Sequence, residues 1–181
     1  MEHKDSMGTK ETLGRGSIQF MTAGTGIRHS EANHGDKPLR FIQTWILPRE
    51  RSLTPNYGSS CPVDFATGKN KLLHLVSDAA NREVETPVKI SQDADAHAAE
   101  LEMGQKIVHN LPDGRQAYLI CLEGEVTING NKLSKYDASE IVGGGPIEIE
   151  ATGVEDTENG KLAHILMFSM KEVPGSGRKD L

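Results

Sequence analysis

Between Ala117 and Glu150 the chain is cut into short apolar runs by tight-turn residues, and this punctuation constrains the fold more than any other feature. Ala117-Tyr118-Leu119-Ile120-Cys121-Leu122 runs into Glu123-Gly124, and Glu125-Val126-Thr127-Ile128 follows. Asn129-Gly130 then supplies two positions that tolerate positive φ, the strongest short hairpin signal. Leu133 to Ile141 continues through Lys135-Tyr136-Asp137 to a Gly143-Gly144-Gly145-Pro146 turn. Ile147-Glu148-Ile149-Glu150 alternates with the period of two expected of a half-buried strand, and His164 to Met170 reads as the last strand. Nineteen glycines and an aromatic content of 4% favour short strands and turns over a helical bundle. The expected class is all-β, a barrel or jelly roll. No exact internal repeat is visible.

The first half carries weaker signals. Residues 1–16 are polar and glycine-rich and read as turns. Ser17 to Ala23 reads as a strand, Gly24-Thr25-Gly26 as a turn, and Ile27 to Glu31 as a second, shorter strand. Asn33 to Pro38 is a loop by composition. Leu39 to Leu47 is the strongest strand of this half, with Phe41 and Trp45 assigned to the core and Pro48 as its stop. Arg49 to Ser60 reads as an extended crossover, and Lys71 to Val76 as a buried strand. Ser91 to Glu100 is ambiguous, since its alanines favour helix while its neighbours fit a strand. Pro174 to Leu181 is expected to be a disordered tail.

At 181 residues the chain suffices for one sizeable domain or two small ones. A net charge of -6 and a pI near 5.6 give no global basic field to attract nucleic acid or anionic membrane. No run of about 18 apolar residues is present to cross a membrane as a helix, and Met1-Glu2-His3-Lys4-Asp5 lacks the apolar core of a signal peptide. Cys61 and Cys121 are most simply reduced thiols, which points to a reducing compartment and hence the cytoplasm.

Chemistry concentrates at His29 and Glu31. On a strand, residues i and i+2 project to one face, so an imidazole and a carboxylate stand side by side, able to share a borderline divalent metal. Two ligands fall short of a facial triad, so metal occupancy is expected to be incomplete. His3 is the nearest candidate for a third ligand, but a terminal residue frays and the simpler expectation is a mobile, exposed histidine. His34 is expected in solvent and His74 as a satisfied core side chain. Gly24 and Gly26 precede no helix N-terminus, so they read as a tight corner and not a phosphate cradle. Cys121, in an apolar strand, should be inert.

His3-Lys4-Asp5-Ser6-Met7-Gly8, the long run Gln19-Phe20-Met21-Thr22-Ala23-Gly24-Thr25-Gly26-Ile27-Arg28-His29-Ser30-Glu31, Gln43-Thr44-Trp45-Ile46-Leu47-Pro48 and Pro55-Asn56-Tyr57 together resemble the pirin family. From Gly104 through Phe168 the chain is also similar to the C-terminal cupin of bacterial pirin-like quercetin dioxygenases, through Gly114-Arg115, Leu122-Glu123-Gly124 and Thr127-Ile128-Asn129-Gly130. The resemblance implies a cupin (jelly-roll) bicupin with an incomplete N-terminal barrel. Its parts would be residues 1–60 as the metal-strand half of the first cupin, 61–90 as linker and crossover strand, 91–172 as the second cupin and 173–181 as tail.

The function so implied is a quercetin 2,3-dioxygenase, opening flavonols at a non-haem metal, Fe(II) or another divalent ion. The alternative is a non-enzymatic regulatory or protein-interaction module. His29 and Glu31 map onto the family's His-x-Glu metal pair, with Glu31 also as catalytic base. His97, His109 and His164 fall in the second barrel, which carries no metal in the resembling domain, and are read as structural or surface residues. The family's His-x-His pair lies upstream of the segment matching His3, where this sequence begins. A truncated gene model is the expectation; a natural short paralogue, or completion of the site by another residue or chain, are the alternatives. Missing early strands would leave barrel edges unpaired and favour homo-oligomers. Family members occur in both cytoplasm and nucleus.

Overall fold

The computed structural model describes residues 1–60 and 68–172, and every regular element among them is a β-strand. In chain order these are β1 (Glu2–Asp5), β2 (Lys10–Thr12), β3 (Ile18–Thr22), β4 (His29–Ala32), β5 (Asn56–Ser60), β6 (Leu73–Asp78), β7 (Val88–Ile90) and β8 (Ala94–Leu101). They continue as β9 (Lys106–Leu111), β10 (Arg115–Glu123), β11 (Glu125–Ile128), β12 (Asn131–Ser134), β13 (Ala138–Val142), β14 (Gly145–Gly153), β15 (Glu155–Thr157) and β16 (Gly160–Lys171). Among the described residues no helix is long and apolar enough to cross a membrane. The chain forms two compact units, residues 1–60 with 77–92 and residues 68–76 with 93–172 of those described.

In the second unit β13, β10, β16, β8 and β6 lie side by side in that order, and β12, β11, β14 and β9 form another sheet. The alternation predicted from sequence decides which faces meet. Ala117, Leu119 and Cys121 of β10 are buried while Tyr118 between them is exposed, and Ile147 and Ile149 of β14 are buried. They join Leu101, Val126, Ile165 and Met167 in one apolar cluster, each large side chain stabilising the fold by about 1.5–3 kcal/mol relative to exposure. Asn129 (φ 48°) and Gly130 (φ 81°) make the expected two-residue hairpin, with Ile128 opposite Asn131. The ambiguous segment resolves as strand β8, laddered between β16 and β6. Pairing on both sides overrides the helical preference of its alanines, and their small size suits the packed position, with Ala98 and Ala99 almost fully buried.

In the first unit β1 is the centre of a three-stranded sheet ordered β2-β1-β4, and β3 pairs with β5. The end of β6 belongs here, tied to β7 by Ala79 N–H donating to Ile90 O at 2.8 Å and by the Ser77–Thr86 hydroxyl pair at 2.7 Å. Three expectations fail in this unit. Residues 1–16 contain strands β1 and β2, and the supposed crossover contains β5; all three are polar and short, so no apolar alternation announces them. Residues 39–47 form no strand, and the expected core residues Phe41 and Trp45 are 54% and 87% exposed. Apolar patterning makes a strand only when another strand lies alongside to pair with its backbone, and none of the described residues does so. This segment is instead held at its end, where the Gln92 side-chain amide donates to Leu47 O at 2.7 Å and Arg49 N–H donates to Ser91 O at 2.8 Å. Cys61 and the expected tail fall outside the described residues.

Candidate metal centre

Strand register gathers the candidate residues of the first unit. On β1 and β4, His3 is opposite Glu31 and Asp5 is opposite His29; on β1 and β2, His3 is opposite Glu11. Directly paired residues share a face, as do residues two apart. His3, Asp5, Glu11, His29 and Glu31 therefore crowd one side of a three-stranded sheet.

His3 is not the frayed, exposed residue expected of a terminus, for it is only 1% exposed. The terminal ammonium donates to Leu13 O at 2.7 Å, and Leu13 N–H donates to Met1 O at 2.8 Å, which pins the first residues. The His3 ring stacks on Tyr57 at 4.4 Å and lies 5.8 Å from the His29 ring. Its Nε2 is 3.4 Å from Asp5 Oδ2, while its buried Nδ1 has no hydrogen-bond partner. The sequence marked this histidine only by its proximity to the motif and by its place in the family-like run from His3 to Gly8, and neither signal announced its burial.

Glu31 is half-buried and accepts a hydrogen bond from the Gln19 side-chain amide at 2.7 Å. The Tyr57 hydroxyl reaches Gln19 Oε1 at 3.0 Å and also bonds Glu11, whose other oxygen accepts from Ser59 Oγ at 2.8 Å. Asp5 is committed to the turn after β1, its Oδ1 accepting from Met7 N–H at 2.9 Å and Thr9 N–H at 3.0 Å. Burial raises its pKa, but these bonds and His3 outweigh burial and leave it below the usual carboxylate value. His29 is exposed on β4, at the edge of its sheet, beside an open hollow of about 310 Å³ that Lys4 and Arg28 also line. The corner before it needs both glycines: Gly24 has φ 53° and Gly26 φ 134°, a region that glycine alone enters freely.

Two imidazoles and a carboxylate make a donor set of the right chemistry for a borderline divalent ion, and the orphaned His3 Nδ1 is a lone pair or proton that such a site can use. As the side chains stand, no three of the described His, Cys, Asp and Glu groups surround a common point. His29 and Glu31 stand side by side on β4, and His3 is opposite Glu31 on β1. Among the other histidines, His34 is exposed as expected, its Nε2 3.2 Å from Glu2. The Lys4 bond, then His34, hold the Glu2 pKa down at about 2. His164 Nδ1 lies 3.6 Å from Glu123. His74, His97 and His109 gather in the second unit.

Comparison with known proteins identifies the family. Family models match residues 1–46, as Pirin, and residues 75–170, as the quercetinase C-terminal cupin domain. A quercetin 2,3-dioxygenase of Escherichia coli (strain K12) is 37% identical over 174 residues, spanning 96% of this chain and 69% of its relative. The chain belongs to the pirin family. Its structural relatives agree: the crystal structure of YhhW from Escherichia coli has TM-score 0.78 at 32% identity, over 95% of this chain and 68% of that one. A crystal structure of the bacterial pirin YhhW in complex with nickel(II) has TM-score 0.73 at 29% identity, with the same coverage. The all-β cupin architecture expected from sequence is thus the observed one, and within the pirin family a divalent metal is bound.

Proposed function

We propose that this pirin is a divalent-metal-dependent dioxygenase of flavonol-like substrates, with His29 and Glu31 as metal ligands, Glu31 as catalytic base, and activity lower than that of its longer relatives. The supporting observation is the shared face of His29, Glu31 and His3, with Glu31 oriented by Gln19. A bound Fe(II), Ni(II) or similar ion would supply the Lewis acidity that favours a flavonol anion and the chemistry toward dioxygen. The chain's own residues bind, orient and move the proton. Gln19 donates to one Glu31 oxygen and so orients the carboxylate; one oxygen would ligate the metal while the other takes the substrate hydroxyl proton. Tyr57 stacks on the His3 ring, and its hydroxyl donates to Gln19 Oε1, the same side chain whose amide orients Glu31. The reduced activity follows from the donor arrangement, because a facial triad needs three protein donors about one point, whereas His29 and Glu31 supply two and His3 does not converge with them.

The experiment is oxidation of quercetin in air by tag-free protein loaded anaerobically with Fe(II) or Ni(II). Loss of the flavonol absorbance should depend on metal, vanish in His29→Ala and slow by roughly 10²-fold or more in Glu31→Gln, the usual scale for a general base. Equal rates with and without metal, or in variants and parent, would overturn the assignment.

A second reading, a protein-interaction module that also self-associates, is favoured by the exposed Phe41, Trp45 and Leu47 and by the sheet edges at β2 and β4. Trp45 is the sole tryptophan, so association through this segment should blue-shift intrinsic emission with rising concentration. A monodisperse monomer in sedimentation, with unchanging emission, would rule out self-association.

A further inference from the structure

Three histidines of the second unit are packed together at one end of its core. On β8, Asp95, His97, Ala99 and Leu101 alternate onto one face, and Ala99 and Leu101 belong to the apolar cluster. His97 therefore points into the sandwich. On β9, His109 shares its face with Leu111, another cluster member, and His74 on β6 is directly opposite His97. Arg115 opens the inward face that continues through Ala117 and Leu119 of β10. The remaining neighbours are uncharged: Met167 of β16 is opposite His97, and Ile147 of β14 is opposite His109.

The rings are in contact. His74 and His97 stack at 4.2 Å between centroids with their planes 19° apart, and His97 and His109 lie 5.0 Å apart at 53°. His97 is 7% exposed, and its buried Nδ1 has no hydrogen-bond partner. An imidazolium carries an N–H on both ring nitrogens. A charged His97 would therefore bury a donor with no acceptor, a cost that is larger for charged groups than for neutral ones. The nearby acids are already engaged. Asp95 Oδ1 bonds His74 Nε2 at 3.0 Å, its Oδ2 accepts from Arg115 Nη2 at 2.9 Å, and Asp93 Oδ1 accepts from Arg115 Nη1 at 2.7 Å. What faces His97 from β6, β9 and β10 is thus two imidazoles and a guanidinium.

We propose that the stack of His74, His97 and His109 is an acid-sensitive latch on the second unit, closed while its rings are neutral and released in acid because the open form accepts protons that the closed stack excludes. The same groups act on its titration. Burial first, then His74, His109 and Arg115, hold the His97 pKa at about 3, against an ordinary value of 6.5. Burial, then His74, also lower that of His109, and Asp95 only partly opposes them. An imidazole whose folded pKa is depressed contributes its full stability above the unfolded pKa and loses it as pH falls toward the folded one. Each unit of pH between about 6.5 and 3 therefore shifts the balance toward the open form by up to about tenfold through His97. Histidine is the side chain that makes such a response fall near physiological pH.

The test is native-state hydrogen exchange of the full-length, metal-free protein between about pH 6 and pH 4, read as protection factors so that the intrinsic pH dependence of exchange cancels. Over that range protection in β8 and β9 should fall roughly 50-fold further in the parent than in His97→Gln, which keeps a polar side chain but takes up no proton. A merely structural role for His97 would lower protection by the same factor at every pH and leave the slope unchanged. His109→Gln, at the half-buried ring, should flatten the profile by a smaller factor, and it decides the question if His97→Gln does not fold. Carbon-13 shifts of labelled imidazoles give a second readout, in which the His97 ring of the closed protein should stay neutral at pH 5. Parallel profiles in parent and variants, or a His97 ring that titrates near its ordinary value while β8 and β9 stay protected, overturn the latch.

Discussion

A Cβ at Gly24 would stand 2.0 Å from the Leu53 carbonyl oxygen, whereas one at Gly26 would meet nothing within 4 Å. Both residues have positive φ, so alanine at either is strained by about 1–3 kcal/mol, but only Gly24→Ala must also displace backbone. Gly24→Ala is therefore expected to lower the melting temperature more than Gly26→Ala, and equal effects would show that the Leu53 contact is not what fixes this corner. Cys121 illustrates the opposite kind of constraint. It is fully buried, and burial, then the Glu155 and Asp137 carboxylates, push its thiol up to about 11. At pH 8 only about one thiol in a thousand is then ionised, and the thiolate is the reactive form. Iodoacetamide at that pH should leave Cys121 unmodified in the native protein and label it after denaturation, as peptide mass analysis would show. Rapid native labelling would contradict its burial. The inertness of Cys121 was legible from its apolar strand; the burial of His3 was not, because it depends on Met1 and Leu13 closing a ladder across a turn.

At the scale of elements, the sheets of the second unit were readable because each inward face there is strictly alternating, as in Ile147-Glu148-Ile149. Polar strands such as β1 and β2 were not, since their partners, and not their own pattern, make them strands. Residues 39–47 show the converse, an apolar pattern with no ladder to join. What secures that segment's exit is an ion pair between Arg49 and Asp78, at the end of β6. Asp78 Oδ1 also accepts from Ala80 N–H at 2.9 Å. Burial raises the Asp78 pKa, but the Ala80 amide and the Arg49 guanidinium outweigh it, so the folded value lies below 3.8. A depressed carboxylate contributes stability that is present above the unfolded pKa and is lost as pH falls toward the folded one. Stability between about pH 5 and 3 should consequently fall less steeply in Asp78→Asn than in the parent. Denaturant melts across that range would show it, and parallel pH profiles would exclude a contribution from the pair. High salt should weaken the effect, because the guanidinium is partly exposed.

For the whole molecule, the distribution of buried apolar groups separates the two units energetically. Among the described residues, the buried hydrophobics of the first unit are Leu13 and Val88, while the second holds the contiguous cluster running from Ala99 to Met167. At about 1.5–3 kcal/mol for each large side chain buried, the second unit has far more to lose on opening. Opening free energies within one protein range from near zero to the global value. Amides of β10 and β16 should thus exchange with solvent at least about a hundredfold more slowly than those of β1 and β4, by opening events that leave the second unit intact. Uniform protection across both units would mean that they unfold as one. The same measurement tests the metal assignment, because a ligand that binds only the folded form stabilises what it binds by RT ln(1 + [L]/Kd). Metal held by His29 and Glu31 should slow exchange in β1 and β4 alone.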